Sequence, residues 1–165
     1  MIRRLTTSAL LLVALAAFGG CQPAATVVTT ASPGGATPSG ALEERVVGGG
    51  FAVIHEWSGN PARPSLTADQ VVAIVRGEIA AGRATIVAGG AGIPAMAIVE
   101  ASFSAALADV FNPAGGPSFQ SSTPVAAWVI VLKGHGVDGD YTTLGVVDDA
   151  TGKPLVTQVF TPGAG

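Results

Sequence analysis

The sequence predicts an α+β domain in which one helix packs on an antiparallel β-sheet. Two stretches carry this prediction: a capped, amphipathic helical pattern over Ala68–Ala81, and three strand-like runs over Val125–Leu132, Thr142–Asp148 and Leu155–Phe160. Neither stretch can bury its apolar face alone, so we expect each to cover the other.

The three strand-like runs are typical of a β-meander. Val125–Leu132 is apolar on both faces, which predicts a central strand that is covered on both sides. The second and third runs are joined by Asp148–Lys153, where aspartate opens a turn and Gly152 suits a left-handed position.

The helix has clear signals at both ends. Thr67 and Gln70 form a capping box, and Leu66 with Val71 forms a hydrophobic staple. Gly82 fits the position that ends a helix. One apolar stripe follows the cap: Val71, Val72, Ile74, Val75 and Ile79.

The other segments give weaker patterns. Phe51–Trp57 alternates and predicts a short edge strand, and Ala84–Gly92 starts like a strand before it breaks into glycines. Ala95–Phe111 fits both helical and strand spacing. Ala114–Thr123 is rich in glycine, proline and serine, which predicts a loop.

Length and charge bound the class of protein. A chain of 165 residues suggests one domain, or one domain with appendages. The net charge is −3, and it becomes more negative without Arg3 and Arg4. Because nucleic-acid binding needs a basic face, we expect no nucleic-acid partner. The single cysteine excludes an internal disulfide and a multi-cysteine metal site.

The N-terminus reads as a targeting segment. A basic start is followed by the apolar run Leu5–Phe18, which is shorter than the roughly 20 residues that span a bilayer but suits a signal peptide. The run ends in Gly19-Gly20-Cys21 and resembles the lipobox of bacterial lipoprotein signal peptides, with Phe18 where leucine is usual.

The lipobox resemblance implies that residues 1–20 are removed and that Cys21 is lipidated. The protein would then be held at the cell membrane or outer membrane, with its domain on the extracytoplasmic side. An ordinary secretory signal with a chance cysteine is the alternative. Residues 21–45 are rich in alanine, threonine, proline and glycine, which predicts a flexible, disordered linker before a domain over 46–162.

The order of elements resembles PepSY-like domains, small cystatin-like modules of bacterial extracytoplasmic proteins. The matching pieces are Thr67–Ile79, Ile98–Leu107, Val125–Gly134 and Val146–Val156. The resemblance implies that the ambiguous segment is a strand up to Phe103 followed by a short helix. It also implies a role in modulating a protease.

One pattern points to an enzyme. Gly90-Ala91-Gly92 begins the G-x-G-x-x-A spacing of a dinucleotide-binding turn after the apolar run Thr85–Ala88. No strand ends in an acidic residue about twenty positions later, so a glycine-rich connecting loop is favoured. A nucleotide-dependent enzyme is the least favoured reading.

Two further groups of residues could bind a cation. Four aspartates lie near predicted turns: Asp138, Asp140, Asp148 and Asp149. They could gather around calcium, but their spacing matches no EF-hand. We therefore favour the interpretation that they are solvated carboxylates in turns. His55 and His135 would have to converge with a carboxylate to bind zinc. Trp57 and Trp128 are expected in the core or at its rim.

The sequence therefore predicts a membrane-anchored, non-enzymatic binding or regulatory module that acts on an unidentified envelope or secreted protein. A small-ligand or metal-binding lipoprotein is the alternative. We expect no catalytic residue, cofactor or metal ligand, and one modified residue, the lipidated Cys21.

The lipid anchor can be tested directly. Cys21→Ser removes the thiol that would carry the lipid, so we expect the protein to move from the membrane to the soluble fraction or to stay unprocessed. Fractionation of cells followed by immunoblotting measures both results. A mutant that still needs detergent for release would contradict lipidation at Cys21.

Overall fold

The computed structural model describes residues 40–59, 62–87, 92–113 and 115–161, with only the backbone of Pro117. It contains one helix and seven strands: β1 (Leu42–Val47), β2 (Ala52–Trp57), α1 (Ala68–Ala80), β3 (Thr85–Val87), β4 (Ala97–Asn112), β5 (Gly116–Gly136), β6 (Gly139–Asp148) and β7 (Pro154–Phe160). Strands make up 60% of the described residues and the helix 11%. The predicted α+β class is therefore wrong, because this part of the chain is mostly β.

All seven strands belong to one sheet, in the order β1-β2-β4-β5-β6-β7-β3. Every neighbouring pair is antiparallel except β3 and β7, which are parallel. The sheet is thus mixed, and the expected purely antiparallel sheet is also wrong. β2 lies between β1 and β4, so the expectation that it forms an edge fails as well.

The largest differences from the sequence prediction are in β4 and β5. β4 is one strand over Ala97–Asn112, so the short helix expected after Phe103 is absent there. β5 begins at Gly116, within the predicted loop Ala114–Thr123. Small alanine and serine side chains allow either periodicity in these segments, and pairing between the two strands decides the outcome.

The register of the strand pair β4–β5 is interrupted, and the core residues show that the sheet bends at this point into two layers. Asp109 pairs with Gln120 and Leu107 pairs with Val125, so β5 has four residues, 121–124, where β4 has only Ala108. Such bulges let a strand pass from one packed layer to another. Layer A contains β1, β2, residues 107–112 of β4 and residues 116–120 of β5. Layer B contains residues 97–104 of β4, residues 125–136 of β5, β6, β7 and β3.

The main apolar core lies between the two layers. Its buried members come from both of them: Val47, Ala52, Ile54, Leu107, Val110, Phe119, Ala127, Val129, Val131, Leu144, Val146 and Phe160. The ring of Phe51, in the β1–β2 turn, packs edge-on against Phe160 of β7 at 5.1 Å between centroids. The sheet therefore folds over itself around this core.

The predicted helix is confirmed. Thr67 and Gln70 form the capping box, Ala81 is the C-cap, and Gly82 follows with a φ of 68°. The helix covers the outer side of layer B through a second apolar cluster: Val71, Val72, Val75, Trp128, Ile130, Leu132 and Val147.

β5 is the central strand of the seven and is covered on both sides, as predicted. Its residues Trp128, Ile130 and Leu132 contact the helix cluster, while Val129 and Val131 belong to the core between the layers. The predicted turn over 148–153 is also confirmed, with the Asp148 amide donating to the Lys153 carbonyl at 2.9 Å and Gly152 at a φ of 67°.

The two ends of the sheet are formed by short strands, β1 and β3. β1 begins at Leu42, inside the last residues of the expected linker. β3 is a short edge strand that pairs through Thr85–Val87. No helix in the described ranges has the length and apolar character needed to cross a membrane.

The contact between α1 and β6 gives a stability prediction. A Cβ added at Gly145 would lie 2.5 Å from Val75 Cγ2, so Gly145→Ala must displace the Val75 side chain or the helix that carries it. We expect a loss of about 1–3 kcal/mol in the free energy of unfolding. Combining it with Val75→Ala should cost less than the sum of the two single changes, because the smaller side chain makes room.

Gly77→Ala is the matched control. Gly77 lies in the same helix with no atom within 4 Å of an added Cβ, so alanine should stabilise the protein by about 0.5–1 kcal/mol. Denaturant unfolding of the purified proteins measures all four variants. Strict additivity of the Gly145 and Val75 changes would contradict the contact.

Candidate functional site

Layer A has one side against the core and one side toward solvent. Val47, Ala52 and Ile54 point into the core, so the alternate residues of β1 and β2 point outward. In β4, Val110 points inward and its neighbours point outward. We call the resulting surface the outer face: Leu42, Glu44, Val46, Val53, His55, Trp57, Asp109, Phe111 and Gln120.

Strand register arranges the outer face in three rows. The middle row is polar and crosses four strands: Glu44, His55, Asp109 and Gln120. On one side lies an apolar row of Val46, Val53 and Phe111, and on the other side lie Leu42 and Trp57. Val46 is 57% exposed, Leu42 49% and Phe111 38%, and Val53 and Trp57 are half-buried. A charged row thus runs between two accessible apolar rows.

His55 is held between two carboxylates. Its Nδ1 lies 2.6 Å from Asp109 Oδ1, and its Nε2 lies 3.7 Å from Glu44 Oε2. The hydrogen bond to Asp109 raises the pKa of His55 above its ordinary value, and the charges of both carboxylates act in the same direction, while partial burial opposes them. The row therefore favours the imidazolium form of His55.

The contacts of His55 bear on whether it could act as a general base. A histidine that activates a nucleophile needs one ring nitrogen directed at the hydroxyl or thiol that it deprotonates. Here a carboxylate faces each ring nitrogen of His55, and neither nitrogen is directed at a hydroxyl or thiol of the described residues.

A second polar cluster lies at the other side of β1, where layer A meets layer B. Arg45 Nε donates to Glu56 Oε1 at 3.1 Å, and Arg45 Nη2 donates to the Phe103 carbonyl at 3.2 Å. The Gly48 amide donates to Glu100 Oε2 at 2.7 Å. Burial raises the pKa of Glu56, but hydrogen bonds from Arg45 and Ser104 and the charge of Arg45 together leave that pKa below its ordinary value. These contacts tie the β1–β2 hairpin to β4 and have a structural role.

The four aspartates considered for calcium do not gather. Asp138 is exposed, and Asp140 pairs with His135 at 2.7 Å on the exposed β5–β6 hairpin. Asp148 accepts the Thr151 amide at 2.8 Å within its own turn. Within the described ranges, no group of three or more histidine, cysteine, aspartate or glutamate side chains is placed to hold a metal ion.

Asp149 is the exception to the expectation of solvated turn carboxylates. It is 3% exposed and accepts three hydrogen bonds, from the amides of Ser65 (2.7 Å) and Leu66 (3.0 Å) and from Trp128 Nε1 (2.9 Å). Burial raises the pKa of Asp149, but these three donors and the Ser65 side chain together outweigh it, and the pKa is lowered. Asp149 therefore ties the segment before α1 to β5.

The two histidines and two tryptophans are also placed. His55 and His135 belong to separate ion pairs, with Asp109 and with Asp140, so the convergence that a zinc site needs is not formed. Trp128 is buried in the helix cluster, and Trp57 lies half-buried on the outer face.

The lipobox with Cys21 lies outside the described ranges, and so do Gly90 and Ala91 of the glycine-rich turn. Gly92 is described and has a φ of 78°. The sequence did not point to Glu44, which lies in the expected linker, or to Asp109 and Phe111, whose strand was expected to be helical. The one feature of the sequence that could have indicated this surface was the alternation of Val53, His55 and Trp57, which places the three side chains on one side of a strand.

Searches against protein-family models, curated proteins and solved structures found no match to this chain.

The role of Asp149 gives a pH-dependent prediction. Since its folded pKa is lowered, its contribution is complete above the unfolded value of about 3.9 and is lost as pH falls through the folded pKa. Asp149→Asn keeps the shape but removes the charge that accepts three donors. We expect a loss of about 1.5–3 kcal/mol at neutral pH and a smaller difference from wild type in acid.

Trp128→Phe removes one of the three donors and serves as the partner change. Because the indole and the carboxylate share a hydrogen bond, the double variant should be less destabilised than the sum of the single variants. Thermal unfolding between pH 3 and pH 7 measures both effects. A constant difference between Asp149→Asn and wild type over that range would contradict the assignment.

Proposed function

We propose that this protein is a lipid-anchored, extracytoplasmic, non-enzymatic binding module that docks a partner protein of the envelope or the secreted fraction on its outer face. The observation that carries the proposal is the outer face itself, where exposed apolar side chains flank a charged row. In the described part of the chain the helix lies on layer B, so no helix covers this surface.

The composition of the outer face favours a protein partner. The water-facing side of an antiparallel sheet is usually polar, with apolar residues confined to the core side. Here Trp57 and Phe111 stand on the solvent side together with smaller apolar residues. Aromatic side chains are enriched at the centres of protein interfaces because they bury a large area with few rotatable bonds.

The interior offers less support for a small ligand. The space between the layers is filled by apolar side chains, and the polar cluster beside it is paired within the chain through Arg45, Glu56 and Glu100. A binding site for a small molecule would need a concave space with polar groups directed into it. The outer face is instead an open surface, which suits a partner of macromolecular size.

The anchor belongs to the proposal as well. Lipidation at Cys21 would hold the domain near the membrane surface, where envelope proteins are concentrated, and two or more acyl chains would make that attachment stable. Modulation of a protease, implied by the PepSY-like resemblance, stays a prediction.

Site-specific photocrosslinking in the native cells tests the docking face. Benzoylphenylalanine at Phe111 on the outer face should give a discrete adduct with one partner, and the same residue at Lys153, in the exposed turn before β7, should not. Val46→Lys should abolish the adduct, because it puts a charge into the apolar row that contains Phe111.

The other outcomes count against the proposal. The same adduct from both positions, or no adduct from Phe111, would contradict docking on the outer face. An adduct of twice the mass of the chain would show that this surface binds a second copy instead of a different protein.

A further inference from the structure

We propose that the outer face binds an extended segment of its partner that presents a lysine or arginine between two apolar residues, with the cation seated on the row of Glu44, His55 and Asp109. This inference rests on the proposed docking function and specifies the chemistry of the partner.

The spacing of the three rows sets the spacing of the partner segment. Along β1 the rows are marked by Leu42, Glu44 and Val46, which are two residues apart and therefore about 6.5–7 Å apart. An extended peptide has the same two-residue repeat on each of its faces. A cation at position i with apolar residues at i−2 and i+2 therefore matches the charged row and both apolar rows at once.

The charges of the middle row determine which sign of charge the partner segment should carry. His55 is faced by Glu44 from β1 and by Asp109 from β4. Gln120 at the end of the row carries no charge, and neither do Val53 and Trp57, the residues two positions before and after His55 on β2. Arg45 and Glu56 point to the other side of layer A, where they pair with each other. Two carboxylates around one imidazole leave a negative row that attracts a cation and repels an anion.

Two other occupants fit less well. Strand addition at the β1 edge would meet Glu43, Glu44 and Arg45 in succession, and consecutive charges are a common protection against edge pairing. A second copy docked face to face would bring two negative rows together. A basic segment of a different protein meets neither obstacle.

Binding of a cation should be coupled to the protonation of His55. The imidazolium and the partner cation compete for Glu44 and Asp109, so the bound cation removes part of the stabilisation that raises the pKa of His55. Binding should therefore release protons near that pKa. Affinity should rise with pH through the titration of His55, by up to about fivefold for one charge at an exposed site.

The test uses two peptides of five residues with blocked ends, Leu-Ser-Arg-Ser-Leu and the same peptide with citrulline in place of arginine. NMR titration of the protein reports both the backbone signals of the outer face and the His55 ring signal as a function of pH. The arginine peptide should shift the outer-face signals and lower the titration midpoint of His55. Citrulline, which has nearly the same shape without the charge, should not lower it.

A pair of matched variants tests whether the preference for arginine depends on the carboxylate of Glu44. Glu44→Gln should abolish the preference for arginine over citrulline, because it removes one of the two carboxylates that face His55. Glu43→Gln makes the same change of charge one residue away, on the opposite side of β1, and should leave the preference intact.

The outcomes separate this inference from the proposed function. Equal binding of both peptides, or no shift of the outer-face signals at millimolar peptide, would overturn the basic-segment proposal. If Phe111 still gives a specific adduct in cells, the docking function stands with a partner of other chemistry. If it does not, the docking function fails independently of the peptide result.

Discussion

The domain depends on the bend in the strand pair β4–β5. These two strands are the only described strands with residues in both layers. The unpaired residues at 121–124 let β5 pass from layer A to layer B. Without the bend, Val47 and Ile54 of layer A could not meet Val129 and Val146 of layer B, and the largest apolar core would have no second side. A local irregularity in hydrogen bonding thus makes the burial of the core possible.

The same bend creates the outer face. Folding layer A over layer B buries one side of β1 and β2 and leaves the other side toward solvent, where register aligns His55 with the carboxylates of β1 and β4. Arg45 and Glu100 then fix the hairpin against β4. The charged row is therefore built on paired strands rather than on loops, which favours a preorganised binding surface.

The sequence predicted the elements whose signals are local and missed those that depend on distant pairing. The α1 cap, Gly82 and the turn at Gly152 follow from a few adjacent residues, and the apolar strands β5 to β7 follow from composition. Residues 116–120 have the composition of a loop, yet they form strand because they pair with β4. The outer face was missed for the same reason. Glu44 and Asp109 are far apart in the sequence and come together only because each of them pairs with His55 of β2.

The two-sided burial of β5 has a consequence for how the chain finds its register while folding. Both faces of Trp128–Leu132 are apolar, so a slip by one residue would exchange two sets of similar hydrophobicity and meet little resistance from polarity alone. The carboxylate of Asp149 breaks this near-degeneracy, because only the native alignment brings the Trp128 indole to it. One buried hydrogen bond thus widens the energy gap between the native sheet and its closest misfolded competitors.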